Sequence, residues 1–473
     1  MSEPSTGPHQ VADPPTELER VVGWFDERTG LARVARIGLR KVFPDHWSFL
    51  LGEVALFCLV VLVATGTYLT FFYVPDAKTL IYQGPYKPLD GATVSAAFES
   101  VMRLSFEVRG GLLFRQIHHW AALIFVAAIV VHACRIFFTG AFRRPREINY
   151  LIGFGLLLLA LVEGFSGYSL PDDLLSGTGL RILNAVVLSI PFIGPWLASL
   201  VFGGNFPSLA LISRLFVLHV MLMPALLIGG VGAHLALLVL QKHTQYRGGR
   251  ASEGNVIGRA FWPGQTFRSL GLFFLTAAVL ALIGGLIQIN PVWVYGPYDP
   301  AAVSAPAQPD WYMGWLEGAL RLGLPIQPTI LGVTIPSLFV PAVIVPGVLF
   351  GIVIAWPFIE ARLTGDHSEH HLLDLPWEQP VRLATGAALL AVFLILTLAG
   401  GNDVLAVFLN VGLEEVTNIF RVLLVIVPIV TWLLAYRLAK DRLRRGAEPL
   451  AVPGGEPLTR AADGGFENEE VGR

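Results

Sequence analysis

The stretch QIHHWAALIFVAAIVVHAC, residues 116–134, is apolar enough to cross a membrane and yet carries three histidines. A polar group buried without a partner costs roughly 2–7 kcal/mol, so imidazoles in this setting indicate that something binds them. An α-helix turns about 100° and rises about 1.5 Å per residue. His118 and His132, 14 residues apart, are therefore predicted to share one helix face about 21 Å apart, whereas His119 points to nearly the opposite face.

The composition points to an integral membrane protein. Of the 473 residues, 54% are hydrophobic and 14% are charged, whereas a soluble globular domain has about 25% charged residues. This excludes the ordinary soluble enzyme classes, and no nucleic-acid partner is expected. The sequence predicts an all-α membrane protein with eight transmembrane helices, surrounded by lipid, at roughly 49–73, 116–139, 149–170, 211–241, 269–290, 333–357, 383–400 and 418–438.

Basic residues predict the orientation of the chain. The polar first 48 residues carry six basic residues, which by the positive-inside rule keeps the N-terminus in the cytoplasm: Arg20, Arg28, Arg33, Arg36, Arg40 and Lys41. An even number of spans then returns the C-terminus to the cytoplasm. The loops FRRPRE and QKHTQYRGGR and the tail RLAKDRLRR agree with this orientation. The stretch QGPYKPLDG predicts a long external loop with its own short helix.

The same pattern divides the chain into four segments. Residues 1–48 form a cytoplasmic N-terminal segment, and residues 49–245 a bundle of four spans. Residues 246–440 form a C-terminal region with four further spans. The cytoplasmic tail, 441–473, is rich in Gly, Glu and Asp from about residue 446 and is predicted to be disordered. Cys58 and Cys134 both lie in apolar spans, which leaves no cysteine pattern for a disulfide framework or a CxxC metal site.

A second pair of histidines lies in the fourth predicted span. His219 and His234 are 15 residues apart, a rise of about 22 Å with an angular offset of about 60°. Two helices thus offer two imidazoles each at matching depths, which favours two bis-histidine b-type haems, held without covalent attachment, in a four-helix bundle of the first four spans. The alternatives are hydrogen bonds between helices or the proton relay of a transporter.

Glycine spacing supports the two-level arrangement. Gly52 and Gly66 in the first span, and Gly153 and Gly167 in the third, are each 14 residues apart and match the spacing of His118 and His132. A porphyrin edge packed against a helix needs positions without a side chain. Close helix packing is the alternative explanation for either glycine pair.

Two arginines flank the histidines of the second span. Arg115 precedes His118 by three residues, and Arg135 follows His132 by three. Both are candidates for binding haem propionates. Snorkelling of their charged ends to the membrane interface is an equally good explanation.

Several motifs together resemble a known family. RQIHHW…HACR in the second span, GYSLP at the end of the third, the paired histidines of the fourth and PDWY at 309–312 resemble the cytochrome b subunit of quinol/cytochrome c oxidoreductases. The resemblance covers about residues 20–440, and PDWY has Asp in place of the family's Glu. The 15-residue histidine spacing, GYSLPDDLLSGTGLR and TGDHSEHHLLD are most similar to the actinobacterial branch. Chloroplast-type relatives attach a third haem through a cysteine where this chain reads DHWSFLLGE, so no covalent third haem is expected.

The resemblance implies a Q-cycle, in which quinol is oxidised at the external face and quinone is reduced at the cytoplasmic face. His118 and His219 would ligate the outer haem, and His132 and His234 the inner haem. Asp310 would be the base of the external quinol site, beside Tyr312, and Gly167, Tyr168 and Pro171 would line that site. For PDWY alone, an ordinary loop turn would be the better explanation. The resemblance also implies menaquinol as the substrate.

Other polar residues remain open. Glu53 and His243 are candidates for proton uptake at the cytoplasmic quinone site, and they could equally be interfacial residues that face water. Glu163 is an acid within the third span that could pass protons or pair with a neighbour. His367, His370 and His371 suggest a metal site, but a solvated cytoplasmic loop is the better interpretation.

The sequence lacks an iron–sulfur cysteine set and a CxxCH motif. The resemblance therefore implies a separate Rieske iron–sulfur subunit, a cytochrome c subunit, a dimer of the complex, and an association with the terminal cytochrome oxidase in a bacterial plasma membrane. Two other classes stay open at this point. A secondary transporter should show inverted repeats, and the anchor cytochrome of a formate dehydrogenase or hydrogenase should have fewer spans and no PDWY loop.

Overall fold

The structure is a computed structural model that describes residues 16–30, 38–39, 41–248, 250–302, 308–446, 457–460 and 466–468. Within these ranges eight helices are long and apolar enough to cross a membrane, which confirms the prediction of an all-α chain with eight spans. We number them as the first to eighth spans: Trp47–Thr70, Gly111–Phe138, Glu147–Tyr168, Leu211–Leu240, Phe261–Leu286, Val340–Thr364, Pro380–Ala399 and Leu413–Arg444.

The sixth span begins at Val340, seven residues after the predicted start at 333. A tight hairpin at residues 329–334 overlaps the predicted start, and in it Ile330 pairs with Val333. Leu331 and Gly332 connect the two strands and both have positive φ angles, 51° and 80°. This conformation fits a two-residue hairpin turn, so Val333 belongs to a strand rather than to the helix.

The spans pack in two groups. The first and second spans pack against each other, as do the third and fourth, and the second also contacts the third. The fifth span lies against the first two. The seventh span packs between the eighth and a short helix, Trp311–Leu322, that begins with the last two residues of the PDWY motif. The two largest apolar cores in the described part of the chain lie within the first group around Cys58 and Val126, and in the C-terminal region around Leu396.

Shorter elements connect the spans. The expected helix of the loop after the first span is present at Ala96–Phe106, where Ser95 caps its N-terminus by accepting from Phe98 N. The other short helices are Glu17–Thr29, Leu174–Leu188, Gly194–Phe202, Val292–Tyr295, Trp311–Leu322 and Asn402–Leu409, with single 3₁₀ turns at Lys87–Leu89 and Pro376–Glu378. The strands are β1 Val42–Pro44, β2 Thr79–Ile81, β3 Thr93–Ser95, β4 Gln245–Tyr246, β5 Val256–Ala260, β6 Thr329–Ile330, β7 Val333–Thr334, β8 Leu372–Leu373, β9 Pro457–Arg460 and β10 Phe466–Asn468.

The strands form small sheets at the ends of the spans. The largest has the order β1-β5-β9-β10, and the pairs β2-β3, β4-β8 and β6-β7 are separate. β9 and β10 lie within the tail that the sequence predicted to be disordered. The backbone of β5 at Val256 and Ile257 pairs with Leu458 and Pro457, which gives this part of the tail a template for a strand. Arg33, Arg36, Arg40 and most of the tail lie outside the described residues.

A buried ionic network joins the two groups of spans. Arg382 of the seventh span is 1% exposed and donates to Glu360 Oε2 at 2.8 Å and to Asp374 Oδ2 at 2.9 Å. Asp374 Oδ1 in turn pairs with Arg143 at 3.0 Å and with Arg247 at 3.1 Å. These two arginines follow the second and fourth spans, so Asp374 connects the four-helix bundle with the C-terminal region.

Replacing Arg382 with Gln is expected to destabilise the protein by about 3–5 kcal/mol, because it leaves two buried carboxylates without their shared cation. The measurement is the midpoint of SDS-induced unfolding, followed by the helical circular dichroism signal. Arg362→Gln, at an exposed position of the sixth span, is the matched control and should shift the midpoint little. Equal midpoints for the two variants would contradict a stabilising role for the network.

Candidate functional site

The four span histidines form two pairs at two levels of the bundle. His118 and His219 make up the upper level, with ring centres 6.2 Å apart and planes at 78°. His132 and His234 make up the lower level, at 6.5 Å and 79°. The second span thus supplies one imidazole to each level and the fourth span supplies the other. The structure brings together the two pairs expected from the sequence.

A local change of helix type explains how unequal spacings produce matched pairs. The second span is α-helical between its histidines, but the fourth contains a π turn at Leu218–Leu222, which includes His219. A π turn accommodates one extra residue within a helix. The 15-residue spacing of the fourth span is therefore brought close to the 14-residue spacing of the second, and both levels align.

The ring separations fit one metal between each pair. A first-row metal such as zinc binds an imidazole nitrogen at about 2.0–2.1 Å, and that nitrogen lies about 1.1–1.2 Å from the ring centre. Two imidazoles on opposite sides of one metal therefore have ring centres about 6.2–6.6 Å apart. The values of 6.2 Å and 6.5 Å lie in this range.

Hydrogen bonds orient three of the four rings. His219 Nδ1 lies 3.1 Å from the backbone oxygen of Glu163, and His234 Nδ1 lies 3.2 Å from that of Asn149. Thr65 Oγ1 donates its own proton to Val61 O at 2.7 Å, so it accepts from His118 Nδ1 at 2.9 Å. These acceptors place the proton on Nδ1 and leave the lone pair of Nε2 for a metal. His132 Nδ1 is buried with no hydrogen-bond partner in the described part of the chain.

Each expected glycine lies against one of these imidazoles. A Cβ atom at Gly66 would lie 3.1 Å from His118 Cε1, at Gly52 3.3 Å from His132 Cε1, at Gly153 3.2 Å from His234 Cε1, and at Gly167 2.3 Å from His219 Cε1. Contacts below 3.0 Å force the neighbour to move, so Gly167 is the least replaceable of the four. The glycines therefore make room for the histidine rings themselves.

Arg115 and Arg135 each have at least one buried guanidinium nitrogen without a hydrogen-bond partner among the described residues. Arg115 donates from both terminal nitrogens to Asn290 O at 3.1 Å, and its Nε has no partner. Arg135 lies over the ring of Phe49 at 4.2 Å, and neither its Nε nor its Nη2 has a partner in the described ranges. Buried guanidinium groups with open donors can bind the carboxylates of a cofactor. The structure places neither guanidinium in an ion pair, within the residues it describes.

Asp310 and Tyr312 meet near the upper level, together with a residue that sequence reasoning missed. Tyr312 donates its hydroxyl to Asp310 Oδ2 at 3.1 Å, and His119 Nε2 lies 2.9 Å from Asp310 Oδ1. The side chains of His119 and Asp310 are 13% and 14% exposed, and Tyr312 is buried. Tyr312 packs on the third span, where a Cβ at Gly164 would lie 2.6 Å from its hydroxyl. The carboxylate is thus held by two proton-bearing groups.

The GYSLP residues form the turn that leaves the third span. Tyr168 is buried and donates its hydroxyl to Leu175 O at 3.1 Å, which fixes the following helix, Leu174–Leu188. Pro171 lies half-buried in the turn itself. Tyr168 therefore shapes this end of the bundle through the backbone, and its hydroxyl is not bonded to Asp310.

Near the lower end of the bundle, Glu53 is half-buried and His243 is buried. Gln265 donates to Glu53 Oε1 at 2.8 Å, while Glu53 Oε2 has no partner among the described residues. His243 is 8% exposed, and its Nε2 likewise has none. Burial, with Lys41, Arg146 and Arg135 nearby, lowers the pKa of His243 to about 3.

Two of the three loop histidines, His370 and His371, have separate side-chain partners. His370 Nε2 pairs with Asp366 at 3.0 Å, whereas Arg146 donates to His371 Nδ1 at 2.7 Å. His371 is 8% exposed, so the expectation of a solvated loop is wrong at this position, because the Arg146 contact holds it in the interior. In the part of the chain that the structure describes, no group of three potential ligands is close enough to hold a metal ion.

Comparisons with known proteins agree with this arrangement. Residues 123–297 match the family model described as "Cytochrome b(N-terminal)/b6/petB". The chain is 50% identical over 421 residues to a protein of Mycobacterium tuberculosis named "Cytochrome bc1 complex cytochrome b subunit", with 89% of this chain and 76% of that protein covered. Proteins of the same name from Streptomyces coelicolor and Corynebacterium diphtheriae are 44% and 46% identical, covering 91% and 92% of this chain and 80% of each relative.

A solved structure shares the fold. The chain titled "Hyperthermophilic respiratory Complex III" superposes with a TM-score of 0.66 at 20% sequence identity. The similarity covers 89% of this chain and 99% of that chain. The fold as a whole is therefore one that a solved structure already shows.

Proposed function

The chain belongs to the cytochrome b subunits of cytochrome bc1 complexes, and from that premise we propose that it binds two b-type haems, one between each histidine pair. As a member of this family it is a multi-pass membrane protein and an electron-transfer subunit of a quinol–cytochrome c oxidoreductase. This membership sets aside the transporter and the anchor cytochrome as alternatives. The observation that supports the haem assignment best is the matched ring separation at the two levels.

The residues around the histidines fit this cofactor. Gly52, Gly66, Gly153 and Gly167 give the imidazoles the room to face each other, and Arg115 and Arg135 have open donors for propionates. Haem bound in this way would supply one-electron transfer at each level. The protein's contribution is to fix the two ring pairs and to keep water away from them. No covalent third haem is part of the proposal.

The upper end of the bundle would oxidise quinol. A quinol gives up protons together with electrons, so its site needs a base within hydrogen-bond reach. Asp310 is that base in our proposal, with Tyr312 and His119 fixing the direction of its two oxygens. Gly167, Tyr168 and Pro171 would form the wall of the same site.

The lower end would reduce quinone. Glu53 and His243 each keep one buried atom without a partner, and Gln265 holds Glu53 in position. Two such groups can bind the oxygens of a quinone or deliver protons to it. One electron from each quinol would cross from the upper to the lower level, while the other would leave to a Rieske iron–sulfur partner, as a Q-cycle requires.

The wider setting follows from the same family resemblance. We propose that the upper level faces the outside of a bacterial plasma membrane, with both termini in the cytoplasm, and that menaquinol is the substrate. The partners would be a Rieske subunit, a cytochrome c subunit, a second copy of the complex and the terminal oxidase.

Gly167→Ala is expected to lower the haem content from two to about one per chain. The added Cβ would lie 2.3 Å from His219 Cε1 and would push this ring away from His118. The measurement is a pyridine haemochrome assay of the purified protein. Gly155→Ala on the same span has no atom within 4 Å of its new Cβ and should keep both haems. Two haems in the Gly167 variant would argue against ligation by His219.

The proposed reaction is tested by adding menaquinol to the purified, oxidised complex and following the b-haem absorption. We expect fast reduction of the haems through the upper site only while the Rieske partner can accept the first electron of each quinol. A slower reduction would occur when quinol donates electrons at the lower site, the reverse of quinone reduction. Removal of the Rieske subunit should therefore abolish the fast phase. Equal rates with and without that subunit would contradict a Q-cycle.

A further inference from the structure

Glu163 is a buried acid of the third span that the proposed reaction does not use. Its Oε1 lies 3.2 Å from His219 Nδ1, and its side chain is 18% exposed. Its other oxygen, Oε2, has no hydrogen-bond partner within the described ranges. A carboxylate at this depth of an apolar layer is costly, so its position against an imidazole calls for a functional reason.

Three acceptors surround the same ring nitrogen. The backbone oxygen of Glu163 lies 3.1 Å from His219 Nδ1, Ser166 Oγ lies 3.3 Å away, and the carboxylate completes the set. Ser166 donates its own proton to Glu163 O at 2.9 Å. The Nδ1 proton is thus directed toward residue 163, and the carboxylate places a negative group beside it. Such a contact increases the electron donation of a metal-bound histidine.

The lower level lacks this feature. His234 Nδ1 lies against a neutral backbone oxygen, that of Asn149, and His132 Nδ1 has no partner among the described residues. One turn after His132 lies the guanidinium of Arg135, buried and with two nitrogen atoms unpartnered. The second span places one arginine at each level, Arg115 three residues before His118 and Arg135 three residues after His132. Among the described residues, the two levels therefore differ by the carboxylate beside His219 Nδ1.

A negative group near a metal centre favours its oxidised state, and a positive group favours its reduced state. We propose that Glu163 lowers the reduction potential at the upper level and thereby makes electron transfer from the upper to the lower level favourable. This inference rests on the proposed binding of a haem at each level. Glu163 acts through His219, so it is a positioning residue and not a catalytic one.

The test is a potentiometric titration of the intact complex carrying Glu163→Gln, followed by the optical spectra of the two haems. Glutamine has the same shape but no charge. We expect the reduction equilibrium constant of the upper haem to rise about tenfold, which corresponds to about 59 mV for one electron. The potential of the lower haem should stay unchanged and serves as the internal reference.

Two further variants separate charge from shape. Ser166→Ala removes the other side-chain acceptor without removing a charge and should shift the potential less than Glu163→Gln. Glu163→Asp keeps a carboxylate one methylene further away and should produce a smaller rise than Gln. This variant also carries the test if Glu163→Gln fails to assemble, since no rise in its potential would overturn the proposal.

A role in the quinol site is the rival explanation, because Tyr312 packs against Gly164, the next residue along the chain. Slower quinol oxidation with both potentials unchanged would favour that role and overturn ours. Two haems with unaltered potentials would leave the proposed function standing. Absence of haem from the unmodified complex would overturn the proposed function and this inference together.

Discussion

Replacing Asp310 with Asn is expected to slow quinol oxidation by about 10²- to 10⁴-fold, the range that a general base contributes. The amide retains an acceptor for Tyr312 but cannot take a proton from the quinol. Because Asp310 lies outside the histidine pairs, the haem content should stay at two. The measurement is the steady-state rate of cytochrome c reduction by menaquinol in the purified complex.

Two control variants are compared with Asp310→Asn. Asp299→Asn changes an exposed carboxylate eleven residues earlier in the chain and should leave the rate near that of the unmodified complex. Asp310→Glu introduces the residue that the family usually has in this motif, and it should keep most of the activity. If Asp310→Asn turned over as fast as Asp299→Asn, the carboxylate would not be the base, and the contact with His119 would have only a structural role.

Replacing His118 with Ala should remove the upper haem and leave the lower one in place. His118 and His219 both belong to the upper level, so either substitution should lower the haem count to about one. His132→Ala should remove the lower haem in the same way. A single haem that remains in each variant identifies which absorption band belongs to which level.

The assignment of two histidines to each level also predicts which variants lose the same absorption band. His118→Ala and His219→Ala must lose the same band, and His132→Ala and His234→Ala must lose the other. His119→Ala is the matched control, since this neighbouring imidazole lies about 100° around the span from His118 and contacts Asp310 instead. It should keep both haems. Loss of different bands within one pair would contradict the assignment of the levels.

The spans and the two histidine pairs could be predicted because they depend on local periodicity. Apolar length sets the spans, and a 14-residue repeat places His118 and His132 on one face. The 15-residue repeat of His219 and His234 seemed to leave an offset, because the residues alone do not reveal the π turn at Leu218–Leu222 that removes it. A change of helix type depends on what packs against the helix.

Long-range contacts could not be predicted in the same way. The sequence predicts that His119 points away from the haem face, but it does not indicate that His119 contacts Asp310, 191 residues later in the chain. The sequence shows that Glu163 is an acid within the third span, but its contact with His219 depends on the fold. The burial of His371 depends on Arg146, which comes from a different loop. In each case the partner is distant in sequence, so no local pattern indicates it.

The most direct test of the central claim is the haem content of the unmodified protein. A dithionite-reduced minus oxidised spectrum, combined with a pyridine haemochrome assay, counts b-type haems per chain. We expect two haems per chain, with no haem left on the polypeptide after acid–acetone extraction. One haem would mean that only one level holds a cofactor, and none in folded protein would contradict the bis-histidine assignment altogether.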